Sequence, residues 1–334
     1  MRWLHMLTIL IPVGCVVFFF VLGCSTLSPR HEVVRDVNAA WSEDGQKLLL
    51  IESRYVTSRP EEPHFNATSA REWNVVLYRV PRPASPGTIG RSGREKIGAW
   101  KETASPGGSI MYSPVYWLEK RKRLIAMQNQ RPVLYNFESG RLMELDVPMD
   151  VKREMVGPRM AEGVFGRGAT PSPDGRLIGV LYTIGFSKKA GIAQLHFRHF
   201  MAFFDAETGA HLRSKAIQWP DDVTDLDIVP RADAMPKRYR FLWNKNSDGV
   251  YLASGGRAFL VPVAAAKKIK PAKQLPAHAV ATPGGPVSDR GEFVYLAENQ
   301  ASPNRRELRV RVLKDWVPFR RVPLVNATKA EYAR

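Results

Sequence analysis

Cysteine is almost missing from this chain of 334 residues: Cys15 and Cys24 are the only two. No disulfide, thiolate metal site or cysteine nucleophile can form beyond residue 24. The domain that follows must be held by its apolar core alone. Long apolar runs are scarce as well. The one long uncharged run, residues 7–22, is shorter than the roughly 20 residues a spanning helix needs. No segment carries the spacing of a long amphipathic helix. The phosphate-cradling patterns G-x-x-x-x-G-K and G-x-G-x-x-G are absent, and so is the serine-hydrolase elbow G-x-S-x-G. Acidic residues are in the minority, 32 against 49 Lys and Arg, which gives a formal net charge of +17. Such an excess favours anionic surfaces: lipid head groups, lipopolysaccharide, wall polymers or nucleic acid.

What is present begins with a leader. Arg2 is the only full charge in residues 1–24. A positive start, a short apolar core and a small residue describe a secretory signal. Val21-Leu22-Gly23-Cys24 resembles the bacterial lipobox. That resemblance implies cleavage before Cys24, acylation of its thiol and amine with palmitate-type chains, and a membrane anchor. Each buried methylene of such chains contributes about 0.8 kcal/mol, so several chains hold a protein without a spanning helix. The competing reading is a plain signal anchor with an incidental cysteine. Ser25, where an aspartate would retain the protein, implies by family analogy the outer membrane, facing the periplasm. Export argues against nucleic acid, and no nucleic-acid-binding motif is visible. The expected organisation is a signal peptide over 1–23, a lipidated tether over 24–37, a folded domain over 38–325 and a tail over 326–334. The sequons at Asn66 and Asn326 carry no meaning in a bacterial host.

The folded part repeats. Ser172-Pro173-Asp174-Gly175 is a tight turn feeding the apolar run 177–182. Looser versions stand at 42–45, 247–249 and 288–291, and a degraded one at 113–123. Between them, short alternating strands are separated by Gly, Pro, Asp and Ser clusters. Five units of four short strands predict an all-β fold, a β-propeller of about five blades. Six or seven blades also suit the looser turns. The last strand, 316–325, contains Pro318 and Pro323 and suits an edge. The Ser-Pro-Asp-Gly turn with its apolar strand resembles the propeller repeat of the Tol translocation protein and of prolyl-oligopeptidase propellers. Fold alone implies no activity.

In a four-stranded meander, the first and third turns of each blade lie at one end. The second turns and the links between blades lie at the other. The tight turns fall at the first end, with 81–95 as a long exception. The long loops 54–71, 148–167, 184–198 and 218–237 fall at the second. Long loops on a rigid scaffold are where binding residues collect. This end holds the predicted partner surface: Arg54 and Arg59 in one loop, Lys152, Arg153 and Arg159 in another, Lys188, Lys189 and Arg198 in a third.

Chemistry-bearing clusters are few. His196 and His199 have an H-x-x-H spacing, but on a strand they point to opposite faces, which argues against a metal. Asp221, Asp222, Asp225 and Asp227 form an acidic cluster without the glycine and closing glutamate of a calcium loop. Asp44, Asp174, Asp248 and Asp289 sit in tight turns, where a carboxylate bonds local backbone amides. No catalytic residue, metal ligand or cofactor is assigned. The functional expectation is a non-catalytic, lipid-anchored envelope propeller that docks a protein or an anionic envelope polymer. The alternative is an envelope glycan hydrolase with paired carboxylates at the channel.

Overall fold

A computed structural model describes residues 31–57, 73–84, 87–89, 92–102, 115–128, 131–156, 161–187, 195–217, 241–254, 257–265, 267–272, 279–280, 284–285, 288, 290, 292–299 and 302–312. Among these, no helix is long and apolar enough to cross a membrane. The leader with Cys24, residues 313–334, the Asp221–Asp227 cluster and Asp289 lie outside the described residues.

Among the described residues there are four consecutive meanders and a fifth, composite sheet. Blade 1 is β1 (His31–Trp41), β2 (Lys47–Thr57), β3 (Trp73–Pro81) and β5 (Glu95–Glu102). Blade 2 is β6 (Tyr116–Leu118), β7 (Arg123–Gln128), β8 (Arg131–Asn136) and β9 (Arg141–Glu144). A short helix, α1 (Met149–Val156), leads to blade 3: β10 (Ala161–Pro171), β11 (Leu177–Ser187), β12 (Leu195–Asp205) and β13 (His211–Ile217). Blade 4 is β14 (Phe241–Asn244), β15 (Gly249–Ser254), β16 (Arg257–Pro262) and β17 (Lys270–Ala272), with β18 (Ala279–Val280) added on its inner side. Blade 5 is β19 (Glu292–Asn299) and β20 (Ser302–Val312), joined by β4 (Gly87–Thr88) from blade 1.

The core lies between sheets, and its clusters join blades 5, 1, 2, 3 and 4 in that order. On β2, Leu49 and Ile51 pack with Trp117, Leu124 and Tyr135 of blade 2. Their neighbours Leu48 and Leu50 point the other way, onto Val294 and Val310 of blade 5. On β11, Ile178, Val180 and Tyr182 meet Leu118, Ile125 and Leu134 of blade 2. Leu181 meets Trp243 and Leu252 of blade 4. A strand buried on both faces must be apolar at every position, which is why 48–51 and 177–182 read as unbroken apolar runs. Each large apolar side chain buried in this way contributes roughly 1.5–3 kcal/mol. The fold is a β-propeller, with five blades among the described residues.

The structure corrects the strand limits. β2 continues to Thr57, β11 to Ser187, and β12 begins at Leu195. Arg54 and Arg198 thus belong to strands rather than loops. The 148–167 connection contains α1 and the start of β10. Its Val151 packs on the core between blades 2 and 3.

The long 81–95 exception has a structural reason. It leaves blade 1 and becomes the third strand of blade 5, with Thr88 opposite Arg309 and Gly87 opposite Val310. Ile89 enters the core between the two blades. Arg82 binds Glu292 at 2.5 Å, with both side chains largely buried. The position outside β20 at Arg309–Val310, where the expected fourth strand 316–325 would begin to pair, is thus held by a segment from the other end of the chain.

Candidate functional site

The two ends of the channel differ. At the tight-turn end, neighbouring turns are stitched to one another. Asp44 Oδ1 accepts from the Ser42 hydroxyl at 2.6 Å and the Gln46 amide at 3.0 Å. Asp174 repeats this with Ser172 at 2.6 Å and Arg176 at 3.1 Å. The Ser42 hydroxyl's hydrogen bond holds the Asp44 carboxyl below its usual range. For Asp174, burial works the other way, but its hydrogen bonds still leave the group lowered. These two aspartates bond local backbone, as expected from their position in the turns. Gly175 sits at φ +69°, where a side chain is strained.

The turns also reach across blades. Glu43 accepts from the Lys120 amide, Lys47 pairs with Glu119 at 2.6 Å, and Arg121 donates to the Asp174 carbonyl at 3.0 Å. The Asp174 amide donates to the Ser247 hydroxyl at 3.3 Å. Arg123 is buried and binds Glu207 of blade 3. The charge run 119–123 thus forms a short 3-10 helix, Glu119–Arg121, and the start of β7, and its Arg121 and Arg123 join blades 2 and 3. Lys120 and Lys122 do remain exposed.

Inside this end, the inner strands β1, β6 and β14 carry Trp41, Trp117 and Trp243 just before their turns. The stretch entering blade 5 runs along all three. Val280 pairs with Trp243, the Gly284 carbonyl accepts from the Trp117 amide at 2.6 Å, and the Gly285 carbonyl accepts from the Trp41 amide at 2.8 Å. The Trp243 indole donates to the Thr170 carbonyl at 3.2 Å. The Tyr116 hydroxyl bonds the Thr170 side chain, and burial raises its pKa to about 12. The chain's own backbone thus pairs with the inner strands of blades 1, 2 and 4 at the tight-turn end. A Cβ on Gly284 would meet the Trp117 carbonyl at 2.6 Å, and its φ of +84° already disfavours a side chain. Gly284→Val is expected to cost about 2–4 kcal/mol of stability. Urea unfolding measures this, and an unchanged midpoint would mean that Gly284 does not lie against the Trp117 backbone.

The long-loop end is where polar groups gather on the blade walls. A register shift between Gly166 and Gly168 sets Arg167 beside β11. Its Nε donates to the Thr183 hydroxyl at 3.2 Å, and Thr183 lies 2.9 Å from His199 Nδ1. Thr183 accepts from a group that can only donate, which leaves its own proton available to Nδ1. Thr183 and His199 follow Leu181 and Met201 on the wall facing blade 4. Burial, then the Arg167 charge, lowers the His199 pKa to about 4. Its folded pKa is below the unfolded value near 6.5, so the unfolded chain binds the proton more readily. Stability is expected to fall as pH drops from about 6.5 to 4. His199→Gln should flatten that part of the profile, as measured by urea unfolding at several pH values. An unchanged slope would contradict this.

A second group lies between blades 1 and 5. Glu52 is 3% exposed. It accepts from Arg54 Nε at 2.7 Å and from the Tyr78 hydroxyl at 3.4 Å, and it pairs with Arg94 at 3.5 Å. Burial of this carboxylate was not visible in the sequence. Its signal is the run 47–53, in which Glu52 occupies a position that otherwise faces the core.

The predicted partner residues are therefore only partly placed. Arg54 is engaged by Glu52 and Tyr78, and Lys152 by Asp146 at 2.7 Å. Arg153 is exposed on α1. Arg198 lies on β12 opposite Ile184. Arg59, Arg159, Lys188 and Lys189 lie outside the described residues. His196 and His199 share the extended strand β12, three residues apart, so the backbone places them on opposite faces. Among the described residues, no group of three or more His, Cys, Asp or Glu side chains is arranged to hold a metal.

No protein-family model matches the chain, and no curated protein does either. Several solved structures are similar to it at low identity. One is the acylaminoacyl peptidase of Pyrococcus horikoshii, with a TM-score of 0.37 and 6% identity over 84% of this chain. The chain spans only 38% of that peptidase. The α-L-arabinanase of Penicillium chrysogenum in complex with arabinobiose has a TM-score of 0.33 and 13% identity, covering 81% of this chain and 73% of the enzyme. A chain of a mitotic checkpoint complex has a TM-score of 0.34 and 10% identity, covering 84% of this chain and 78% of its own.

Proposed function

We propose that this protein is a non-catalytic, lipid-anchored propeller of the bacterial cell envelope, which uses its long-loop end as a docking surface. The tight-turn end supports this reading most: inner strands of blades 1, 2 and 4 are paired there with the chain's own backbone, so a partner meets the long-loop end. The buried carboxylate Glu52 supports it too. It is matched by Arg54, Arg94 and Tyr78 rather than aimed at a channel mouth, so it does not serve glycan hydrolysis. The lipobox and the leader supply the anchor. The outer membrane, facing the periplasm, is the proposed location.

Charge is the proposed means of docking. Replacing Arg153, Arg159, Lys188 and Lys189 together with Ser is expected to weaken association with isolated envelopes several-fold without unfolding the ring. Wild-type association should fall with added salt, since fields at exposed charges are screened over about 8 Å at physiological ionic strength. The same exchange at Lys120 and Lys122, at the opposite end, should matter little. Arg121 and Arg123 are unsuitable controls because both hold blades together. Association indifferent to salt, or more sensitive to Lys120 and Lys122, would overturn the docking surface.

A further inference from the structure

The direction of the first strand, together with the short stretch before it, fixes which end of the ring lies nearest the anchor. The turn at 42–46 follows β1, so Trp41 is at the tight-turn end and His31 is at the long-loop end. Residues 24 and 31 are separated by seven peptide units. At about 3.3–3.6 Å each, they span at most about 25 Å when fully extended. The eleven residues of β1 then run about 33–36 Å away from that point before the tight turns begin. Strands β2 and β11, of the same length, raise the walls of blades 1 and 3 towards the long-loop end.

We propose that the long-loop end of the propeller faces the lipid surface into which Cys24 is anchored, and that this surface is its first partner. The inference rests on the lipid-anchor reading above, and it names what the docking surface meets. A tether of about 25 Å is shorter than the strands it precedes. The tight-turn end cannot approach the bilayer unless the ring lies on its side. The acyl chains hold blade 1 at the head groups, and the polar walls of the long-loop end meet that layer. The stitched tight-turn end looks away from it.

The acylated, full-length protein in vesicles tests this. Cleavage removes Cys15 and acylation consumes the Cys24 thiol, so one introduced cysteine is the only free thiol. Ser187→Cys places a donor dye at the long-loop end of β11, and Gln128→Cys places one at the same end of β7. Ser139→Cys places one in the exposed turn between β8 and β9, at the opposite end. The acceptor is a dye on the lipid head groups. Energy transfer from positions 187 and 128 is expected to exceed that from 139 several-fold. If the protein remains on the vesicles through an alkaline carbonate wash and 139 transfers as well as 187 and 128, the orientation is wrong while the anchor stands. If the wash removes the protein, the anchor is wrong and the orientation falls with it.

Discussion

Glu52→Ala lowers the unfolding free energy by about 3–5 kcal/mol, the largest loss expected from a single side chain in the ring. The Glu52 side chain is 4% exposed and that of Arg94 6%, at the seam between blades 1 and 5, which the 81–95 stretch crosses. The carboxylate offsets Arg94 at 3.5 Å and Arg54 at 2.7 Å, and it accepts from Tyr78. Deleting it takes a carboxylate away from the buried Arg94 guanidinium and leaves the half-exposed Arg54 charge beside it. Removing opposite charges together is far milder, because neither is then buried without its counterpart. Glu52→Leu combined with Arg94→Met should therefore lose less than Glu52→Ala alone. Urea unfolding at pH 7 gives both numbers. A loss below about 1 kcal/mol for Glu52→Ala would mean that water reaches the cluster and the blade 1–blade 5 seam is open.

Much of this fold can be read along the chain because the repeat is local. The turns at 42–46 and 172–176, and the runs 48–51 and 177–182, carry their own signals: a positive-φ glycine, an aspartate for the backbone, and apolar residues at every position. The separation of tight turns from long loops follows from strand order alone. What could not be read depends on partners far away in sequence. The 81–95 stretch looks like a loose loop because the strand it pairs with begins at Ser302. Arg123 looks like part of a solvated charge run because Glu207 belongs to the next blade. Gly284 and Gly285 look like an ordinary turn until the amides of Trp117 and Trp41 are brought to them. Of the candidate surface, the sequence indicates which end of the ring to examine. It does not show that Arg54 and Lys152 are occupied by Glu52 and Asp146, or that Arg167, Thr183 and His199 join on one wall.

The second large effect is functional. Cys24→Ala is expected to abolish acylation completely, because the thiol is the group that the first acyl transfer modifies and no other cysteine survives cleavage. The consequence is nearly all-or-none. On the proposed anchor, two or three chains at about 0.8 kcal/mol per buried methylene would hold the wild type on the bilayer, and the variant would have none. It should appear either as released protein or as uncleaved precursor, without incorporating labelled palmitate. The propeller itself should be unaffected, since the unfolding midpoint depends on residues beyond the tether. Label persisting on the Ala variant would show that the acyl group sits elsewhere.

The account depends most on what the mature chain begins with, and intact-mass spectrometry of the protein extracted from membranes decides that. The expected species starts at Cys24, lacks residues 1–23 and is heavier than the bare polypeptide by the mass of its acyl groups. A protein that begins at Met1, or one cut at another position with an unmodified Cys24, would contradict the account.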